Sequence, residues 1–195
     1  MTTLSDAGTD GAAAPRVDRL GVVIAILVAV TLALPFATFR ATRIASGTGL
    51  RLFDALPSME AAAVTAVLVA ALVTAVASRS PVFRLVLGAL AIGALALGVG
   101  AAGTHLTPTD NPYARIAPAS GFWVGVVATA MLVTDAMVRL KLGPVGRLVA
   151  LVATAALIVA LLASGAWSHL SLIAEYRNRA DVFWREAINH VVLAA

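Results

Sequence analysis

Five stretches of this chain run for close to twenty residues or more without a charged side chain: Leu20–Phe39, Ala61–Ser78, Leu85–Thr109, Ile116–Thr134 and Leu148–Ser168. A bilayer core about 30 Å thick takes about 20 helical residues to cross, and each stretch supplies close to that. Backbone amides in lipid must be satisfied within the segment, so helices are expected. Strands of an outer-membrane barrel would alternate polar and apolar residues over about ten positions, and these stretches do not. The expectation is an all-α fold: a polytopic membrane helix bundle of about five transmembrane helices plus a C-terminal amphipathic helix. The spans are placed at about 20–39, 60–78, 82–104, 119–138 and 147–167. The first could pass for a signal peptide, but its apolar run is too long and no cleavage site follows.

Composition agrees. Hydrophobic residues make up 61% of the 195 and charged residues 12%, against about a quarter charged in soluble domains; mean hydropathy is +0.95. One bundle fills that length, over residues 16–169, with 1–15 as a disordered tail and 170–195 beyond it. The net charge of +4 does not point to nucleic acid, because the arginines sit between apolar blocks, where they anchor loops and set topology. With the N-terminus inside, Arg16, Arg19, Arg79, Arg84, Arg139, Lys141 and Arg147 lie in the cytoplasm. Arg40, Arg43, Arg51 and Arg115 lie outside, so the first outer loop dissents. Cysteine is absent, which excludes disulfides and thiolate metal sites.

Few residues invite chemistry. Asp135 is the acid deepest in an apolar run. It reads either as a proton relay or cation ligand, or as the i, i+4 partner of Arg139 near the end of the fourth span. His105, His169 and His190 are scattered at span ends, and nothing in their spacing makes them converge on a metal. Trp123, Trp167 and Trp184 with Tyr113 and Tyr176 could cage a quaternary ammonium ion, or form the ordinary aromatic belts. Gly121/Gly125, Ala89/Gly93, Ala94/Gly98 and Ala96/Gly100 have the small-residue spacing that lets helices approach. There is no Walker-type loop, His-Glu-x-x-His or Gly-x-Ser-x-Gly, so neither an enzyme nor a cofactor is expected.

Near the C-terminus, Leu172, Ile173, Tyr176, Ala180, Phe183, Trp184, Ala187, Ile188 and Val191 fall at gaps of three and four, one face of a helix. Asp181 and Arg185 stand four apart on the other side. This helix is expected over 172–190, oblique to the bundle and leading into an unfinished further span at 191–195, either lying in the membrane interface or capping the bundle.

The polar connections resemble a known family. Ala33-Leu34-Pro35-Phe36, Arg43 to Gly49, Ser120-Gly121-Phe122-Trp123, Asp135-Ala136, Leu170-Ser171-Leu172, Glu175 to Arg179, Asp181-Val182-Phe183 and His190 look like the N-terminal membrane extension of bacterial osmoprotectant (glycine betaine/choline-type) ABC-importer permease subunits. That resemblance implies a multi-pass inner-membrane protein with a cytoplasmic N-terminus. Its partners would be the lipid bilayer, a permease core, a cytoplasmic ATPase subunit and a periplasmic solute-binding protein. Family members continue into a core with a Glu-Ala-Ala coupling loop. Here the sequence stops at Val191-Val192-Leu193-Ala194-Ala195, which leaves a fragment, a truncated frame or half of a split subunit. The alternative is a free-standing small bundle or minor cation- or proton-coupled transporter with Asp135 at its core.

Overall fold

A computed structural model describes residues 18–111 and 113–194; the tail expected over 1–15 lies outside the described residues. Helix α1 (Arg19–Ala33) leads into strand β1 (Ala37–Arg40). Strand β2 (Thr48–Leu50) and the one-turn α2 (Leu52–Ala55) precede α3 (Ser58–Ala77) and α4 (Pro81–Leu106). Strand β3 (Arg115–Pro118) then precedes α5 (Ser120–Arg139), α6 (Pro144–Ala163) and α7 (Ser171–Ala194). The class is all-α, a polytopic membrane bundle in which α3, α4, α5 and α6 are long and apolar enough to cross a membrane.

The first apolar stretch behaves differently from the rest. α1 has 15 residues and a length of about 22 Å, short of the hydrocarbon thickness. It ends because Pro35 excludes the helical region for the residue before it, and Leu34 is extended at φ −83°, ψ 160°. Ala37–Phe39, which sequence placed in the span, belong to β1 instead.

That strand centres a three-stranded antiparallel sheet, β2-β1-β3, that sequence did not suggest. Ala37 pairs with both Leu50 and Pro118, and Arg40 with Arg115. The strands have three or four residues each, too few for alternation to register. Phe36, Ala37 and Ile116 are buried beneath them. Pairing satisfies backbone groups just where the chain leaves its helices, and Pro118 is tolerated because β3 is an edge strand.

α4 is the centre of the bundle, packed on α3 and α5, with α1 bridging α5 and α3. Small residues bring these helices close. A Cβ on Gly21 would lie 2.0 Å from the Ala75 carbonyl oxygen, and one on Gly121 between 2.8 and 3.0 Å from the carbonyl oxygens of Pro35, Leu34 and Thr31. Gly125, Gly98 and Gly100 also face neighbouring segments closely, whereas Gly93 has nothing within 4 Å. The Ala89/Gly93 pair is therefore no packing site, because α4 turns Gly93 away from its neighbours; Gly88, against Val133, serves instead.

α6 stands apart: its apolar window is 6% buried, against 44% for α4. It is held where it turns into α7. There the Trp167 indole donates to the Ala96 carbonyl at 2.8 Å, the Ser171 hydroxyl to the Ile116 carbonyl at 2.7 Å, and Leu170 bridges Ile116. α7 packs on β3. Its aromatic side stays open, Phe183 and Trp184 each 55% exposed, so that face is not sealed as a cap on the bundle. The Asp181–Arg185 pair does not form; Arg185 meets Glu186 at 4.0 Å.

Candidate functional site: charge clusters at the two ends of the bundle

At the end of the bundle where α1 begins, four charges close a ring. Asp18 is the N-cap of α1 and accepts from the Gly21 amide at 3.2 Å, as short oxygen-bearing side chains do at that position. Its other oxygen meets Arg84 of α4 at 2.6 Å and Arg139 of α5 at 2.7 Å. Asp135 of α5 meets the same two guanidiniums, Arg84 at 2.5 Å and Arg139 at 2.8 Å. Acid and base alternate around the ring, and every member touches two of opposite sign.

Arg84 is the keystone. Its side chain is 2% exposed, and its remaining donors reach the carbonyls of Ser78 and Ala75 at 3.0 and 2.8 Å. A buried guanidinium is tolerated only when paired and hydrogen-bonded in this way. Partial burial pushes the Asp18 carboxyl up. The Gly21 amide, Arg84 and Arg139 outweigh that and hold it below its ordinary 3.8.

Sequence found half of this ring. The Asp135–Arg139 contact is the i, i+4 pair, but Asp18 and Arg84 were missed as members. Arg84 falls inside the span placed at 82–104 yet counts among the cytoplasmic charges, because the uncharged stretch starts only after it. Pro81 was the available signal: proline favours the first helical turn, which puts Arg84 inside α4.

Other candidates stay dispersed. Ring contacts fall into two separate groups: Phe36–Phe122–Trp123 at the sheet, and Tyr176–Phe183–Trp184 on α7. Trp167 points to the α4 backbone and Tyr113 is 69% exposed, so the five aromatics do not close a cage. His105 ends α4, His169 lies in the α6–α7 link and His190 on α7. Among the described residues no three metal-ligating side chains gather.

The opposite end carries the sheet and a second cluster. Glu175 of α7 takes both donors of an Arg43 fork and lies 3.6 Å from Arg115 of β3. With Arg40, Thr38 and Ser171 these line an open cavity of about 450 Å³. Several segments far apart in sequence meet here. The Gly121 amide donates to the Pro35 carbonyl at 2.7 Å, Phe36 and Phe122 pack edge to face with centroids 6.0 Å apart, and Gly49 abuts the Pro35 ring.

A family model described as "ABC transporter permease YehY, N-terminal domain" matches residues 18–173. The match begins at the N-cap Asp18 and takes in every helix up to the first turn of α7. No curated protein and no solved structure matches the chain.

Proposed function

The chain belongs to the family of ABC transporter permease YehY N-terminal domains, and on that premise we propose that it is the membrane-embedded module of an importer for glycine betaine or similar quaternary ammonium osmoprotectants. It performs no chemistry of its own. It packs against a permease core served by a cytoplasmic ATPase and a periplasmic solute-binding protein, in the bacterial inner membrane with its N-terminus in the cytoplasm.

The observation that carries this reading is the family match across residues 18–173. The osmoprotectant class is supported by the segments resembling such permeases. Several of these, Ala33–Phe36, Arg43–Gly49, Ser120–Trp123 and Leu170–Ser171, meet at the sheet end. The open flank of α6 supports a packing role: a helix apolar on all sides and 6% buried has surface for other membrane helices or lipid.

The test is affinity purification of the tagged chain from native membranes in mild detergent, joined to uptake of radiolabelled glycine betaine. Recovery of a permease core with its ATPase, and loss of uptake on deletion, is the expected result. Repeated recovery of neither would remove the importer assignment. Uptake by the isolated chain that is abolished by Asp135→Asn without loss of folding would favour the free-standing transporter.

A further inference from the structure

We propose that the arginine cluster at the sheet end seats the phosphate of an anionic membrane lipid. This rests on the chain's being embedded in a membrane and is independent of what the assembly transports.

The register of the sheet sets up the problem. Arg40 and Arg115 are direct cross-strand partners, and like charges placed opposite each other on paired strands repel. Arg43 joins them at the same cavity, which holds three guanidiniums and the single carboxylate of Glu175. That carboxylate is shared, taking the Arg43 fork and lying 3.6 Å from Arg115, so among the described lining residues three guanidiniums divide one carboxylate. An anion seated beside Arg40 would relieve the cross-strand repulsion, and guanidinium forks match phosphate oxygens in geometry.

Position selects the source of that phosphate. Arg115 opens the strand that runs into α5, with only Ala119 between them, and Arg40 closes the strand that follows α1. The cavity therefore lies a few residues beyond the helix ends, where the headgroup layer begins. Exposed apolar side chains stand next in sequence to two of its lining residues, Arg43 and Ser171. Ile44, next to Arg43, is 97% exposed, and Leu172, next to Ser171, is 78% exposed. Apolar side chains beside arginines at this depth match an amphiphile, with acyl chain and phosphate side by side.

The experiment uses the full chain purified in mild detergent and equilibrated with equal amounts of phosphatidylglycerol and phosphatidylcholine of matched chains; retained lipid is read by native mass spectrometry. Severalfold preference for phosphatidylglycerol is expected. Arg40→Gln, which removes a guanidinium that makes no ion pair among the described residues, should abolish most of that preference. Glu175→Gln should raise it by removing the internal competitor. The two variants shift retention in opposite directions, so general loss of folding cannot imitate the pattern. Equal retention of the two lipids, or a preference unchanged in Arg40→Gln, would overturn the proposal. Millimolar inorganic phosphate should leave lipid retention unchanged; full displacement by it would overturn the lipid assignment in favour of a free-phosphate site.

Discussion

Two glycines on the same kind of helix show how local surroundings decide the value of a residue. Gly121 lies against three backbone carbonyl oxygens at 2.8 to 3.0 Å from where a Cβ would be, and backbone cannot swing aside. Gly121→Val should cost about 3 kcal/mol by forcing α1 and α5 apart. Gly93 meets nothing within 4 Å, so Gly93→Ala should stabilise by up to about 1 kcal/mol through helix propensity. Thermal unfolding in detergent checks both, and equal effects would refute the packing argument. Arg84 offers a sharper case. Arg84→Gln leaves Asp18 and Asp135 sharing one guanidinium in a site with little water, and losing one partner of a buried pair costs about 3–5 kcal/mol. Asp18 sets the pH dependence. Its folded-state carboxyl is held below 3.8, so its contribution is present above that value and lost as pH falls through the lower, folded one. Unfolding temperature should be flat from about pH 5 to 8 and fall only below about pH 4. A drop near neutrality would assign the titration to another group.

The link between α5 and α6 is made by a terminus of recognisable geometry. Lys141 has φ 52°, its amide donates to the Val138 carbonyl at 3.0 Å, and the Leu142 amide reaches back to Met137 at 3.2 Å. This is the paired bonding that ends a helix through a left-handed residue. A side chain there carries a penalty of about 1–2 kcal/mol that glycine avoids. Lys141→Gly should therefore stabilise by about 0.5–1 kcal/mol after the entropy of the unfolded chain is counted; chemical denaturation against the unchanged protein measures it, and a loss of stability would contradict the assigned backbone. At the other end of the bundle, α7 is tethered through its first turns. Ser171, Leu170 and the Arg43–Glu175 fork hold its start, while the aromatic side farther on stays open. That open side suits the membrane interface. Quenching of Trp184 by lipid-attached quenchers should exceed quenching by aqueous iodide; the reverse order would place α7 in water.

For the whole molecule, the two clusters fix which segments share an end. Asp18, Arg84, Asp135 and Arg139 meet on one side, and Arg40, Arg43 and Arg115 on the other. Ion pairing of Arg84 and Arg139 does not weaken the topology argument, because orientation follows lysine and arginine counts and acids contribute little. Reporter fusions after Arg79 and Lys141 should therefore read cytoplasm, and fusions after Thr109 and at the C-terminus periplasm. A cytoplasmic signal at the C-terminus would mean that one apolar helix fails to cross, with the 15-residue α1 the first suspect. What the sequence by itself determined was the bundle: long uncharged stretches leave a backbone in lipid only the helix, wherever its neighbours lie. It also contained the Asp135–Arg139 pair, four residues apart on one helix, because that contact is local. What only the tertiary structure decided was the pairing of distant segments. Asp18 and Arg84 join the ring from 117 and 51 residues before Asp135, and three strands of three or four residues find one another across the span ends. Such contacts leave no periodic trace along the chain, because the partners are set by how helices pack and not by the spacing of their own residues.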